Sequence, residues 1–269
     1  MSTSKSMVTC TAIQPETCIL QVTSLQFAYA DRQVLKQVSF SLYEHERLAL
    51  VGGNGAGKST LLRLLVGLSP CGSGAITGFG KQCSTEADFH RLRTQIGFLF
   101  QDSDDQLFCP TVLEDVAFGP LNLGQTRPQA IATALTTLRQ LGLETFADRV
   151  TYRLSGGEKR MVALATVLAM EPRILLLDEP TNGLDTQAEE RLLSHLETLD
   201  QAMIIVSHDQ RVIDRLATRA MVLEQGQIKP AVLHRHPHQH SHEHTHIHAI
   251  TTADTSETAP NGHHSSPSK

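Results

Sequence analysis

One run of residues constrains this chain more than any other: Gly52-Gly53-Asn54-Gly55-Ala56-Gly57-Lys58-Ser59. It follows a short apolar stretch, Arg47-Leu48-Ala49-Leu50-Val51, and opens a segment from Lys58 to Val66 that reads as a helix stopped near Gly67. Strand, glycine-rich turn and helix in that order fit the pattern G-x-x-x-x-G-K-[ST]. Glycines let successive backbone N–H groups curl around phosphate oxygens, and the start of a helix adds partial positive charge there. Lys58 is expected to reach the β- and γ-phosphates of a nucleotide, and Ser59 to ligate Mg²⁺. The competing reading is a glycine turn that merely precedes a helix.

A second feature decides between the two. Ile174-Leu175-Leu176-Leu177 reads as a buried strand that ends in Asp178 and Glu179, where ligands of open α/β sheets bind. Asp178 is expected to hold Mg²⁺, directly or through water, and Glu179 to polarise an attacking water as general base. A solvated acidic strand end would explain one carboxylate better than this pair. Downstream of the helical section, Leu154-Ser155-Gly156-Gly157-Glu158 is a capping box, Ser155-x-x-Glu158, that opens a helix ending near Met170. A glycine-opened helix start is also an anion site, able to face the phosphates of a nucleotide bound elsewhere.

Around these motifs, short apolar runs alternate with helical patterns from Cys18 to about Gln227, which predicts an α/β fold with a largely parallel sheet. Ala202-Met203-Ile204-Ile205-Val206 is a further buried strand. Pro128 suits a first helical turn, Ile131, Leu135, Leu138 and Leu141 repeat at helical spacing, and Gly142 marks the stop. The 269 residues carry a net charge of −5, which offers no electrostatic case for nucleic acid as a partner. Met161 to Met170 is the longest near-apolar stretch, well short of the ~20 residues that span a bilayer, and the N-terminus lacks the apolar block of a secretory signal. The five cysteines (10, 18, 71, 83, 109) show no CxxC spacing, as expected in a reducing compartment. Residues 1–17 are polar, without periodicity, and are expected to be disordered. From 228 to 269 the composition changes: ten of the 14 histidines lie between His234 and the end, and the segment is expected to be mobile for want of apolar surface.

Together, Leu-Ser-Gly-Gly-Glu after a phosphate loop and before an Asp-Glu strand end resembles the signature of ATP-binding-cassette (ABC) ATPases. Tyr29, 23 residues before Gly52, resembles the aromatic that stacks on adenine. Gln101 resembles the Q-loop glutamine that senses Mg²⁺ and the γ-phosphate, Asn182-Gly183-Leu184-Asp185 the D-loop, and His208 the switch histidine. The match runs over roughly residues 19 to 226. It implies a P-loop NTPase core with a mostly parallel sheet, an antiparallel β part and an inserted α-helical subdomain at about 102–157, within an ABC domain spanning 18–227. It implies ATP contacts at Tyr29, Gly52, Gly53, Asn54, Gly55, Ala56, Gly57, Lys58, Ser59, Thr60, Ser155, Gly156, Gly157 and Asp185. Catalytic roles fall to Glu179, His208, Gln101 and Lys58, and Mg²⁺ to Ser59, Gln101 and Asp178. Two such domains pair head to tail, each ATP lying between the P-loop of one and Ser155 and Gly157 of the other.

The stretch Phe100 to Phe108, continued by Thr111 to Gly124, resembles the cobalt/nickel-type ATPase subunit of energy-coupling-factor (ECF) importers, with Asp102-Ser103 where that group more often has Asn-Pro. The loss of that proline leaves the local turn open. The resemblance implies a second ATPase subunit as partner (a homodimer), a transmembrane coupling subunit and a substrate-capturing membrane subunit, at the cytoplasmic face of a bacterial membrane. The alternating His234, His236, His238, His240, His242, His244, His246 and His248 suit Ni²⁺, Co²⁺ or Zn²⁺. With a reference pKa of about 6.5, roughly a quarter of such side chains carry a proton at pH 7, so binding should weaken with acid. The reading is an ATPase that couples hydrolysis to uptake of nickel or cobalt. Its alternatives are an importer for another cargo such as zinc or a vitamin with the tail incidental, a soluble non-transport ABC ATPase, and a metal-storage protein with a vestigial ATPase.

Overall fold

The computed structural model describes residues 17–30, 32–70, 72–237 and 243–249. The N-terminal part is β1 (Cys18–Tyr29), β2 (Arg32–Tyr43), β3 (Arg47–Val51), α1 (Lys58–Leu65), β4 (Ser73–Gly78), β5 (Lys81–Cys83), α2 (Glu86–Arg93) and β6 (Ile96–Leu99). A helical section follows: α3 (Val112–Asn122), α4 (Arg127–Gln140) and α5 (Gly156–Leu168). The chain then runs through β7 (Ile174–Asp178), α6 (Thr186–Glu197), β8 (Ala202–Val206), α7 (Gln210–Leu216), β9 (Arg219–Glu224), β10 (Gln227–Pro237) and β11 (Glu243–Ala249).

Two sheets result. Strands β2-β1-β4-β5 form an antiparallel one, and β11-β10-β9-β3-β8-β7-β6 the larger, in which β9, β3, β8, β7 and β6 are parallel neighbours. Parallel strands covered on both faces need apolar side chains on both, which is why β7 and β8 read as unbroken apolar runs. Alternation divides them between two cores. Ile174, Leu176, Ile204 and Val206 join α1 and the antiparallel sheet, whereas Leu175, Leu177, Met203 and Ile205 join α3 to α6. This packing fixes the end of β7, and with it Asp178 and Glu179, relative to the end of β3 and the loop after it.

The helical repeat through Ile131, Leu135, Leu138 and Leu141 is met by α4, which buries Leu138 with Ala130, Ala134 and Thr137, and Leu141 just beyond it, while Leu135 is exposed. One expectation is corrected. The segment from 228 is not structureless throughout. β10 pairs antiparallel with β9 from Gln227↔Glu224 to Ala231↔Ala220, and β11 pairs back onto β10. The physical reason is local: without β10 one edge of β9 would be left unpaired, Ile228 packs against the main core, and Ala231 and Leu233 cover a small core of Ala49, Ile213, Ala217 and Ala220. The expectation for residues 1–17 falls, apart from Thr17, outside the described residues, as do 238–242 and 250–269. No described helix is long and apolar enough to cross a membrane.

Candidate active site

The loop between β3 and α1 ends at Gly57, whose φ of 105° is left-handed. A Cβ there would lie 2.7 Å from the Val34 side chain, so conformation and space both require glycine. Lys58, the first residue of α1, is buried, and its Nζ donates to the carbonyls of Gly52 (2.8 Å) and Gly53 (3.1 Å) and approaches His208 Nε2 at 3.2 Å. Burial pushes the Lys58 pKa down, and the carboxylates of Glu179 and Asp178 work against that shift.

Asp178, the last residue of β7, is buried, and its Oδ1 has no hydrogen-bond partner. Burial pushes its pKa up, opposed by a hydrogen bond with Ser59 and by the charges of Arg63, Lys58 and Arg160. A buried, orphaned carboxylate oxygen beside a serine hydroxyl is a costly arrangement unless a ligand completes it. The donor set, all hard oxygen, fits Mg²⁺ held together with a nucleotide's phosphates.

Glu179 has φ +46°, an uncommon conformation for a non-glycine residue. Its N–H donates to Val206 O (2.8 Å), its Oε2 accepts from His208 N (3.2 Å), and Oε1 lies 3.3 Å from His208 Nε2. β7 and β8 are parallel neighbours, so the residues after each strand emerge side by side, which brings Glu179 to His208. A cleft of about 950 Å³ gathers Tyr29, Asn54 through Thr60, Gln101, Asp178, Glu179 and His208. Tyr29 is half exposed, with its ring edge-on to Phe27 at 4.7 Å. The turn left open after Gln101 is a 3₁₀ segment over Ser103–Asp105, opened by Asp104 N donating to Asp102 Oδ1 (2.9 Å). Asp102 caps this segment, and Ser103 is its first residue.

Other predicted residues lie outside this cleft. Ser155 caps α5 as predicted: Glu158 N donates to Ser155 Oγ (3.3 Å), and Ser155 N donates to Glu158 Oε2 (2.8 Å). The Ser155 backbone amide is the first cause that holds the Glu158 pKa below its ordinary value. Ser155, Gly157 and Asp185 line a separate cavity of about 160 Å³. Asp185 caps α6, accepting from Ala188 N (2.8 Å), and a Cβ on Gly157 would come within 2.9 Å of the Ala188 side chain. His234 and His236 fall on β10, and His244, His246 and His248 on β11; His238, His240 and His242 lie outside the described residues.

Sequence reasoning missed Arg160. It is 2% exposed, yet it sits on α5 with its guanidinium against the backbones of Phe100, Gln101, Asp178, Glu179 and Pro180. Its one signal was a cation at the head of an apolar helix run, which reads equally well as a solvated turn.

Among known proteins, residues 35–182 match the family described as ABC transporter. A Brucella suis protein named as an ABC transporter ATP-binding protein is 57% identical over 205 residues, 76% of this chain and 85% of its own. The nickel import ATP-binding protein NikO of Rhodobacter capsulatus is 42% identical over 223 residues, 78% and 87% of the two chains. A component of the cbiONQ ABC transporter complex from Clostridium perfringens superposes with a TM-score of 0.71 at 35% identity, over 79% of this chain and 87% of that one. A bacterial ABC transporter cassette solved as a dimer gives 0.70 at 27% identity, over 78% and 96%.

Proposed function

The chain belongs to the ABC transporter family and is an ATPase, and from that premise we propose that it powers an ECF-type importer that takes up nickel or cobalt. One observation carries the engine: the phosphate loop, Asp178, Glu179 and His208 share one cleft, while Ser155 and Gly157 line another. A single copy therefore presents half of a nucleotide site and, elsewhere, the phosphate-facing helix start of a second half. Two copies related head to tail would complete both, and a cassette that this chain resembles was solved as a dimer.

In the assigned roles, Tyr29 stacks on the adenine and the loop amides from Asn54 to Thr60 hold the phosphates. Lys58 leaves the Gly52 and Gly53 carbonyls for the phosphate oxygens. Ser59, Asp178 and Gln101 hold Mg²⁺, which when bound neutralises phosphate charge. Glu179 accepts a proton from the attacking water, and His208 orients it and bonds the γ-phosphate. Binding favours the closed pair through contacts made only there, and hydrolysis removes them.

The membrane partners are supported by an apolar patch beside the Q-loop. Phe108 (65% exposed), Phe118, Leu121 and Leu123 are solvent-facing, with the two phenylalanine rings edge to face at 4.8 Å. Such a patch suits the coupling helices of a transmembrane subunit and seats the ATPase on the membrane's inner face; a separate membrane subunit captures the cargo.

The cargo reading is supported by the named function of the 42% identical relative and by the tail. The β10–β11 register sets His234 opposite His246 and His236 opposite His244. Imidazole suits a borderline divalent ion, and this register pairs histidine positions across the two strands. In this reading the ribbon buffers metal at the cytoplasmic mouth of the importer. Co-expression with neighbouring open reading frames, followed by uptake assays over several cations, tests it. ATP-dependent accumulation of Ni²⁺ or Co²⁺ is expected; uptake confined to zinc or a vitamin overturns the cargo, and co-purifying nucleic acid without uptake overturns the transporter.

A further inference from the structure

Arg160 belongs to no motif that the nucleotide reading uses, yet its position is the most constrained of any charged side chain described. It lies on α5 five residues after Ser155, and its three guanidinium nitrogens all donate to backbone carbonyls. Nε bonds Pro180 O (2.7 Å), and Nη2 bonds Asp178 O (3.1 Å) and Glu179 O (2.7 Å). Nη1 reaches across to Gln101 O (3.3 Å) and to Phe100 O. A planar fork is thus shared between two separate segments, residues 100–101 and 178–180, that carry two of the residues assigned to hydrolysis.

Burying a cation costs more than the bonds return when an apolar side chain of similar volume is the alternative. Stability alone gives no reason for an arginine at this point, whereas geometry does. Glu179 sits at φ +46°, a conformation that persists only where its surroundings over-determine it. Its N–H is held by Val206 O and its carbonyl by Arg160 Nη2. The peptide groups on both sides of the strained residue are therefore fixed, one by β8 and the other by α5. The same guanidinium fixes the carbonyl of Gln101.

We propose that Arg160 is a positioning residue that ties the signature helix to Glu179 and Gln101 of its own copy. The link has a direction. On the reading proposed above, Ser155 at the head of α5 faces the nucleotide of the second copy, while Glu179 and Gln101 face the nucleotide of the first. Arg160 joins the two within one chain, so closure at one site is transmitted as backbone alignment at the other. The phosphate loop is not among its partners, which separates binding from turnover.

The test is the full-length R160K variant, whose ammonium keeps the charge but lacks the fork. Its kcat is expected to fall by roughly 10- to 100-fold, with ATP affinity within about threefold of wild type. M161A, which opens a cavity at the next buried position of α5, is the comparison: it should lower the melting temperature and leave that kcat-to-affinity split unmade. A variant-free readout comes from ¹⁵N-arginine-labelled wild-type protein. Arg160 is the only arginine in the buried class among the described residues, so one slowly exchanging Nε–H is expected, and it should shift when ATPγS and Mg²⁺ are added. R160K with kcat within about twofold of wild type, or R160K and M161A losing turnover and affinity alike, overturns the proposal. So does a protected Nε–H that ignores the nucleotide, a result that stands even if R160K does not fold. ATP affinity lost together with turnover in wild-type-like folded R160K would instead place Arg160 in binding. Failure of the wild type itself to bind ATP would strike the nucleotide reading, not the linkage.

Discussion

Lys58 and His208, 150 residues apart in the chain, meet at 3.2 Å between Nζ and Nε2, and the same imidazole nitrogen lies 3.3 Å from Glu179 Oε1. A neutral Nε2 without a proton accepts from the ammonium; once it carries a proton it can only donate, and the carboxylate becomes its partner. Lys58 cannot serve His208, the Gly52 and Gly53 carbonyls and a phosphate together. Binding of ATP therefore has to release at least one of these three contacts, and in the roles assigned above it is the Gly52 and Gly53 carbonyls that Lys58 gives up.

Lys58→Met should separate stability from binding. Burial lowers the Lys58 pKa, so the charged side chain is held at a cost, and an apolar replacement of similar length should leave the melting temperature unchanged or raised. ATP affinity should fall by roughly 10- to 100-fold, the value of a charge-assisted contact of about 1.5–3 kcal/mol. Titration calorimetry with Mg²⁺ and ATP checks this; unchanged affinity removes Lys58 from the site.

Glu179→Gln should keep ATP affinity while turnover drops by roughly 10²- to 10⁴-fold, because the amide cannot take the water's proton. Its strained backbone is held by Val206 and Arg160 through main-chain atoms, so the substitution leaves the loop in place. Steady-state phosphate release is the measurement, and full turnover would exclude Glu179 as the base.

Two substitutions at Ser155 should behave differently. Ser155→Ala removes the bond to Glu158 N and should cost about 1 kcal/mol of stability, read as a lowered denaturant midpoint. Ser155→Arg places bulk and charge at the phosphate-facing helix start and should block ATP-driven pairing while single-copy ATP binding persists. An unaltered ATP-dependent pair would contradict the assignment of this helix start.

Acidification should weaken Mg²⁺-dependent nucleotide binding before it unfolds the protein. Burial raises the Asp178 pKa, so this carboxyl takes up a proton at a higher pH than an ordinary aspartate and is lost as a ligand there. Between its unfolded value near 3.8 and its raised folded value the native state binds more protons, so Asp178 itself favours folding as pH falls through that window. Glu158 has the opposite sign. Its folded pKa is depressed, so its contribution is present above about 4.5 and disappears as pH falls through the lower folded value. Fluorescent-nucleotide titrations and thermal melts across pH 3–7 should therefore show binding fail first; simultaneous loss would contradict the burial argument.

The C-terminal strands set where a truncation can be made. Ending the chain after Gln227 removes Ile228, Ala231 and Leu233 from two cores and should cost about 2–4 kcal/mol. Ending it after Leu233 keeps those contacts and removes all ten tail histidines, so Ni²⁺ binding should collapse with hydrolysis spared. Equal nickel stoichiometry after the second truncation would rule out the tail as the metal site.

Much of this site could be read from residue order because phosphate chemistry demands backbone shapes that only certain residues allow. Gly57 with its left-handed φ, Lys58 at the first turn of α1 and Asp178 at the end of an apolar strand are of that kind. The capping box at Ser155 was equally legible, since it depends on residues three apart. What escaped depended on tertiary packing. Arg160 bonds carbonyls from two distant segments, and a carbonyl has no sequence signature. The β10–β11 ribbon escaped because histidine-rich sequence suggests solvation, whereas an edge of β9 that would otherwise be unpaired and a few apolar residues bring this stretch into the sheet. On α4 the repeat marked the helix, and Leu138 and Leu141 are buried, but Ala130 and Ala134 share the inner face while Leu135 is exposed.

The central claim is that two copies close around ATP, and the oligomeric state of Glu179→Gln tests it most directly. Sedimentation velocity of that full-length variant should show monomer without nucleotide, dimer with Mg²⁺ and ATP, and monomer again when Ser155→Arg is added. A sedimentation coefficient that ATP leaves unchanged, in the presence and absence of the membrane partners, would contradict it.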